Sequence, residues 1–196
     1  MKTRLLVILT CIAVMTTSSC VQIQQALQLA KCEFRLKDVS NLTLAGVNVQ
    51  QIESWSDISL TDVAKITLAY KQGTLPVNFK LNTEIRNPNS ATAALNQLDW
   101  ILMLDQGQIA EGTTTQRVEV PAGGGTAIMP LTISTDLKKL FGGESLTSLA
   151  NMVLSMADAS GKPTKLTLKA KPYIVVGSTS IPYPGYINVK TDFVSQ

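Results

Sequence analysis

The sequence predicts a mainly β protein, an antiparallel sandwich with two short inserted helices. Three observations support this prediction. Apolar and polar residues alternate in many short segments, as they do in strands with one buried face. Clusters of Gly, Pro, Asn and Ser separate those segments. Many short strands with such punctuation favour a sandwich over βαβ units.

The clearest predicted strand runs from Leu75 to Arg86, where apolar and polar side chains alternate throughout most of the segment. The segment from Cys32 to Lys37 has the same pattern. Between Leu98 and Leu104 both faces are apolar, which predicts a central strand covered on both sides, with Trp100 largely buried. The other segments with strand patterning are 118–120, 129–133, 165–171 and 187–193, in the last of which Ile187, Val189 and Phe193 share one face.

Two segments have apolar residues at helical spacing. The first has Ser59 as its N-cap and Gly73 as its stop. Its predicted buried face consists of Val63, Ile66 and Tyr70. The second runs from about Ser145 to Ala157.

The first 19 residues have the pattern of a secretory signal. Lys2 and Arg4 precede an apolar stretch from Leu5 to Met15, and small polar residues follow before Cys20. An uncleaved membrane helix is the alternative, but it needs about 20 apolar residues and this stretch is shorter. We therefore predict that residues 1–19 are removed.

The ending Thr17-Ser18-Ser19-Cys20 resembles the bacterial lipobox, although Thr17 stands where Leu is usual. The resemblance implies cleavage before Cys20, diacylglycerol on its sulfur and acylation of its new amino group. Several acyl chains together anchor a protein stably. Val21 in place of Asp, and the lack of an acidic run after it, favour the outer membrane facing the periplasm. Residues 20–31 are then the lipid anchor and spacer, and residues 32–196 a single domain.

The composition excludes several kinds of chemistry. The chain has no histidine, the commonest general base near neutral pH and the commonest zinc ligand. Cys11 leaves with the signal and Cys32 shares phase with the buried face of its strand, so neither is expected to act as a nucleophile. Lys2 and Arg4 supply two of the three net positive charges, which leaves too little for nucleic acid. We expect no catalytic residue, metal or cofactor.

Two glycine-containing segments have the composition of ligand loops but the context of turns. Ser160-Gly161-Lys162-Pro163 has Pro163 where a phosphate loop needs Ser or Thr. Gly123–Gly125 lies between two strands and precedes no helix. Both are predicted to be turns.

Two further groups of residues leave functional alternatives open. The carboxylates of Asp99, Asp105, Glu111 and Glu119 are predicted to be solvated, although a pair formed across a sheet remains an alternative. Three tyrosines alternate with prolines near the C-terminus and form either a binding edge or packing at the rim. They are Tyr173, Tyr183 and Tyr186, with Pro172, Pro182 and Pro184.

From about Leu75 to Val176 the chain resembles the LEA type 2 family, also called the WHy domain. The segments that carry the resemblance are Glu84–Asn89, Leu98–Asp105, Ile109–Gly112 and Val120–Gly123. With the lipobox, the whole chain is similar to LEA type 2 lipoproteins of Bacteroidetes-like bacteria.

The resemblance implies an immunoglobulin- or fibronectin-III-like sandwich without a known catalytic set, and a link to stress tolerance. It leaves two functions open. One is a non-enzymatic binding or scaffold module of the periplasmic envelope, held to the membrane through acylated Cys20, with a lipid or an envelope protein as partner. The other is a lipid carrier with an apolar groove between the sheets.

Overall fold

The structure is a computed structural model that describes residues 28–158, 160–176 and 179–195. Its helices are α1 (Leu60–Lys71), α2 (Leu137–Leu140) and α3 (Leu146–Leu154), and a 3-10 turn spans Trp55–Asp57. The strands are β1 (Glu33–Leu44), β2 (Val47–Asn48), β3 (Pro76–Asn87), β4 (Ala93–Leu95), β5 (Gln97–Leu104), β6 (Gly107–Thr114), β7 (Val118–Val120), β8 (Gly125–Asp136), β9 (Leu166–Val176), β10 (Thr179–Pro182), β11 (Ile187–Val189) and β12 (Val194–Ser195).

The strands form two main antiparallel sheets. The first has the order β12-β1-β3-β8, with β2 also paired to β1. The second has the order β10-β9-β5-β6, with β11 also paired to β9. Strands β4 and β7 form a small third sheet. The predicted mainly β, antiparallel sandwich is confirmed.

The core lies between the two main sheets. Alternate side chains of the long strands β3, β5 and β8 are buried over most of their length, and they join those of the helices in one apolar cluster. This cluster includes Phe34 of β1, Phe79 of β3, Leu102 of β5 and Leu168 of β9, all of which are at most 2% exposed. The alternation seen in the sequence therefore marks the inner face correctly.

The prediction for β5 is confirmed in part. The strand is central, between β9 and β6, and Trp100 is only 9% exposed. The prediction that both faces are covered is wrong, because Ile101 and Met103 are half-buried on the outer face. The helices contact β2, β3 and the 3-10 turn instead, so none of them forms a third layer over this strand.

Gly112 of β6 makes room for the indole ring of Trp100. The two residues are directly paired across β5 and β6. A Cβ atom at Gly112 would lie 2.6 Å from Cζ2 of Trp100, closer than packed carbon atoms approach. A glycine at this position is therefore needed for the indole to pack flat against the neighbouring strand.

Both predicted helices are present. In α1 the Ser59 hydroxyl caps the first turn by accepting from the Asp62 amide, and Ile66 is buried. Helix α3 ends at Leu154, before the predicted Ala157, because Ala157 pairs with Pro163 in an isolated bridge. The described residues also contain the four-residue α2, which the sequence analysis did not predict. None of their helices is long and apolar enough to cross a membrane.

Phe193 does not share the face of Ile187 and Val189, contrary to the prediction. Ile187 and Val189 are buried on β11 of the second sheet. The chain then crosses to the first sheet, where β12 pairs with the start of β1. The Lys190 carbonyl accepts from the Leu36 amide at this crossing. The strand period is therefore interrupted before Phe193.

We predict that Trp100→Ala lowers the free energy of unfolding by about 3–5 kcal/mol, because it removes a buried aromatic side chain and leaves a cavity. Ile101→Ala is the matched control, since Ile101 lies next to it on the half-exposed face. Urea denaturation of both variants measures the difference. Equal losses would contradict the assignment of Trp100 to the core.

Candidate functional site

The described part of the chain begins at Gln28, within the predicted spacer, at one end of the sandwich. Cys20 lies outside the described residues, as does everything before Gln28, so lipidation at Cys20 stays a prediction. Leu29 is only 2% exposed, which fixes the entering segment to the core. We call this end the amino-terminal pole; it consists of Gln28–Cys32, Asn87–Asn89 and Gly123–Gly125.

The side chain of Asn87 lies at the centre of the amino-terminal pole and is fully buried. Its Nδ2 donates to the carbonyls of Ala91, at 2.9 Å, and Val120, at 3.0 Å. Its Oδ1 accepts from the backbone amide of Asn89 at 3.1 Å. A buried amide is tolerated when its donors and acceptor are all paired, and here they are.

Asn89 connects this centre to the entering chain. Its Nδ2 donates to the Gln28 carbonyl at 3.0 Å, and to Oδ1 of Asn87 at 2.6 Å. The carbonyls of Asn89 and Asn87 accept from the amides of Gly123 and Gly124, at 2.7 and 2.8 Å. The Asn-Pro-Asn segment therefore joins the entering segment, the end of β3 and the turn before β8.

Two ion pairs lie on the outer face of the first sheet next to this pole. Glu33 is paired in register with Arg86, and Arg35 with Glu84. Nε of Arg35 donates to Oε2 of Glu84 at 2.6 Å, and Arg86 makes the equivalent contact with Glu33. Alternation of charge along both strands thus gives two complementary cross-strand pairs.

Phe193 covers both guanidinium groups. Its ring centre lies 4.5 Å from Cζ of Arg35 and 4.1 Å from Cζ of Arg86, within the range of cation–π contacts. The next residue, Val194, pairs with Phe34 at the start of β1. The C-terminal strand is therefore attached beside the point where the chain enters the sandwich.

Cys32 is buried, as the sequence predicts. It is 0% exposed, and its thiol lies 3.5 Å from the Gln28 carbonyl. Burial, and to a smaller extent the negative charge of Glu33, raise the pKa of the Cys32 thiol from its ordinary value of 9.0 to about 11. A thiol of this kind is a weak nucleophile.

Four carboxylates were considered as possible members of an acid–base pair, and each of them has partners of its own. Asp99 accepts from the hydroxyls of Thr113, at 2.7 Å, and Tyr173, at 2.6 Å. Asp105 lies 3.8 Å from Nζ of Lys165. The remaining two pair with residues close to them in sequence: Glu111 with Gln108, and Glu119 with Arg117. Among the described residues, no group of three or more His, Cys, Asp or Glu could hold a metal ion.

The C-terminal tyrosines divide between rim packing and exposure. Tyr173 is half-buried, and its hydrogen bond to Asp99 raises the pKa of the phenol. The Tyr183 amide donates to the Pro172 carbonyl at 2.9 Å. Tyr186 is 46% exposed. Tyr173 therefore belongs to the packing at the rim, whereas Tyr186 is accessible to solvent.

The buried apolar residues of the core lie between the two sheets, and they are between 0 and 9% exposed in the part of the chain that the structure describes. The surface clefts there include one of about 410 Å³, lined by Asn48, Gln50, Gln51 and Ile52. Others of about 270 and 330 Å³ are lined mainly by charged and hydroxyl side chains.

A family model described as LEA_2, late embryogenesis abundant protein, matches residues 82–184. The match begins in β3 and includes the Asn-Pro-Asn segment, Trp100 and Gly112. It covers more than half of the chain, and it agrees with the resemblance carried by these segments. A search of curated proteins gave no match.

Several solved structures are similar to this chain. A protein from Archaeoglobus fulgidus is 13% identical over 62% of this chain and 86% of its own, with a TM-score of 0.35. The solution structure of a protein described as a late embryogenesis abundant (LEA) protein is 13% identical over 82% and 72%, with a TM-score of 0.34. A β-D-mannosidase from Dictyoglomus thermophilum is 9% identical over 77% of this chain but 13% of its own, with a TM-score of 0.22.

The raised pKa of Cys32 predicts slow alkylation by iodoacetamide at pH 8 in the folded protein and fast alkylation in urea. The pKa of the Cys32 thiol is higher in the folded state than in the unfolded state, so folding favours the neutral thiol. The contribution of this group to the free energy of unfolding is therefore complete below pH 9 and is lost as the pH rises through about 11. Mass spectrometry of timed samples measures the rates. Equal rates in the two states would show that the thiol is accessible.

Proposed function

The chain belongs to the LEA type 2 family, and from that premise we propose that it is a lipid-anchored, non-enzymatic binding or scaffold module of the bacterial cell envelope with a stress-related role. The family membership supports a non-enzymatic, stress-related protein. The anchor rests on the sequence before Cys20. The amino-terminal pole is the observation that connects the two, because it fixes the segment that follows the anchor to the folded domain.

The distance from the proposed anchor to the domain is short. Eight residue steps separate Cys20 from Gln28, and an extended chain spans at most about 3.3–3.6 Å per residue. The backbone of Gln28 therefore lies within about 29 Å of the backbone of Cys20. On this proposal the amino-terminal pole is the end of the domain towards the membrane. The hydrogen bond from Asn89 to the Gln28 carbonyl stops the entering segment from detaching and lengthening this tether.

Several observations support a non-enzymatic role. The one described thiol is buried with a raised pKa, and the chain has no histidine to activate it. The four candidate carboxylates each have their own partners. The buried apolar side chains between the sheets support a module that binds through its surface. The alternative is a lipid carrier, which requires an apolar groove between the sheets.

We predict that Cys20→Ala abolishes acylation and either blocks signal cleavage or releases the protein from the membrane fraction. Loss of the sulfur removes the atom that the diacylglycerol would occupy. Intact-mass measurement and membrane fractionation test this outcome.

Cys11→Ala is the matched control, because Cys11 lies in the apolar stretch of the signal and is expected to leave processing unchanged. If Cys20→Ala retains the acyl mass and the membrane location of the unmodified sequence, the proposed anchor is wrong.

A further inference from the structure

A polar groove lies along the edge of β1, where the chain crosses from β11 to β12. It consists of two adjacent clefts of about 330 and 270 Å³, with Thr191 in the lining of both. Five cationic side chains line it: Arg35, Lys37, Lys162, Lys165 and Lys190. Three of its lining residues are acidic, Asp38, Asp105 and Asp192.

An irregularity in β1 places Lys37 in this groove. The register of β1 against β3 shifts between Leu36 and Asp38, so Lys37 is the extra residue of a bulge. The Leu36 amide on one side of it donates to the Lys190 carbonyl, and the Val39 amide on the other donates to the Gly161 carbonyl. The edge of β1 is thus covered by the same two segments that line the groove.

The turn that carries Lys162 is held rigidly. Oδ1 of Asp158 accepts from the amide and hydroxyl of Ser160, at 2.9 and 2.5 Å, and from the Lys162 amide at 3.0 Å. Gly161 has a φ of +85°, and a Cβ atom there would lie 2.8 Å from the Val39 carbonyl oxygen. Only glycine therefore fits this turn against β1, and these contacts fix the backbone position of Lys162.

The cationic side chains of the groove differ in whether they already form an ion pair with a carboxylate. Arg35 is paired with Glu84, and Lys165 lies 3.8 Å from Asp105. Within the described residues, Lys37, Lys162 and Lys190 form no ion pair at 4 Å or less. Hydrogen bonds from Ser160 and the Lys162 amide lower the pKa of the Asp158 carboxyl, and Lys162 is close enough that its charge also contributes to this lowering. Asp38 accepts from Nδ2 of Asn82 at 2.6 Å, which directs part of its acceptor capacity away from the lysines.

We propose that this groove binds a phosphate-bearing anion through Lys37, Lys162 and Lys190, with the hydroxyl of Thr191 as a further donor. The phosphate belongs to a phospholipid headgroup or to a small soluble phosphate, since lysine recognises both as point charges. The inference names the class of ligand that the proposed binding module would take, and it rests on that proposed function. A long nucleic acid is not the ligand, because the chain as a whole is close to neutral.

The test uses the full-length chain in neutral detergent and two probes. Isothermal titration measures binding of inorganic phosphate, and of phosphatidylglycerol in mixed micelles with phosphatidylcholine micelles as the reference. The test variant is the double substitution Lys37→Gln and Lys162→Gln. The control is Lys80→Gln with Lys71→Gln, which removes the same charge from exposed positions outside the groove. Thermal melting checks that both fold.

We expect the test variant to bind at least about tenfold more weakly than the control, since each lysine contributes a charge-assisted hydrogen bond. Binding should also weaken as salt is added. Binding of both probes would identify phosphate itself as sufficient, and binding of phosphatidylglycerol alone would identify the lipid headgroup. No binding of either probe, or equal weakening in both variants, would overturn the proposal. Acylation of Cys20 is measured separately, so failure here does not depend on the anchor.

Discussion

The side-chain amide of Asn87 is the interaction on which the amino-terminal pole depends. It is fully buried, and its two N–H groups satisfy the carbonyls of Ala91 and Val120. Leaving a buried carbonyl unpaired costs about 1–3 kcal/mol, so the loss of this one side chain affects both β7 and the loop between β3 and β4. Through Asn89 the same centre holds the Gln28 carbonyl. The entry of the chain and the end of β3 are therefore fixed by one group of hydrogen bonds.

The arrangement around this centre connects the fold to the proposed function. The C-terminal strand β12 returns to the start of β1, and Phe193 covers the two arginines beside it. Both ends of the described chain thus lie near the proposed membrane attachment. The groove beside the Lys162 turn lies farther along β1, at its edge. A module tethered in this way fixes one end and leaves the sides of the sandwich accessible to a ligand.

The sequence predicts the layers of this protein better than its connections. Alternation from Leu75 to Arg86 identifies β3 because one face of that strand is buried throughout. The alternation pattern does not reveal that Ile101 and Met103 face outward, since apolar residues occur both on half-exposed faces and in the core. The position of Phe193 depends on a crossing between sheets, which no local period records. Asn87 and Asn89 are recognisable as turn residues beside Pro88, but their partners come from distant segments and only the fold brings these together.

The substitution Asn87→Asp tests the central role of this amide most directly, because it keeps the shape of the side chain and removes both N–H donors. Its control is Asn48→Asp, where the exposed side chain acts as an acceptor for the Gln50 amide and an aspartate can do the same. We expect urea denaturation to give a loss of at least about 3 kcal/mol for Asn87→Asp, from two unpaired carbonyls beside a buried carboxylate, and less than about 0.5 kcal/mol for the control. Equal free energies of unfolding for the two variants would contradict the account.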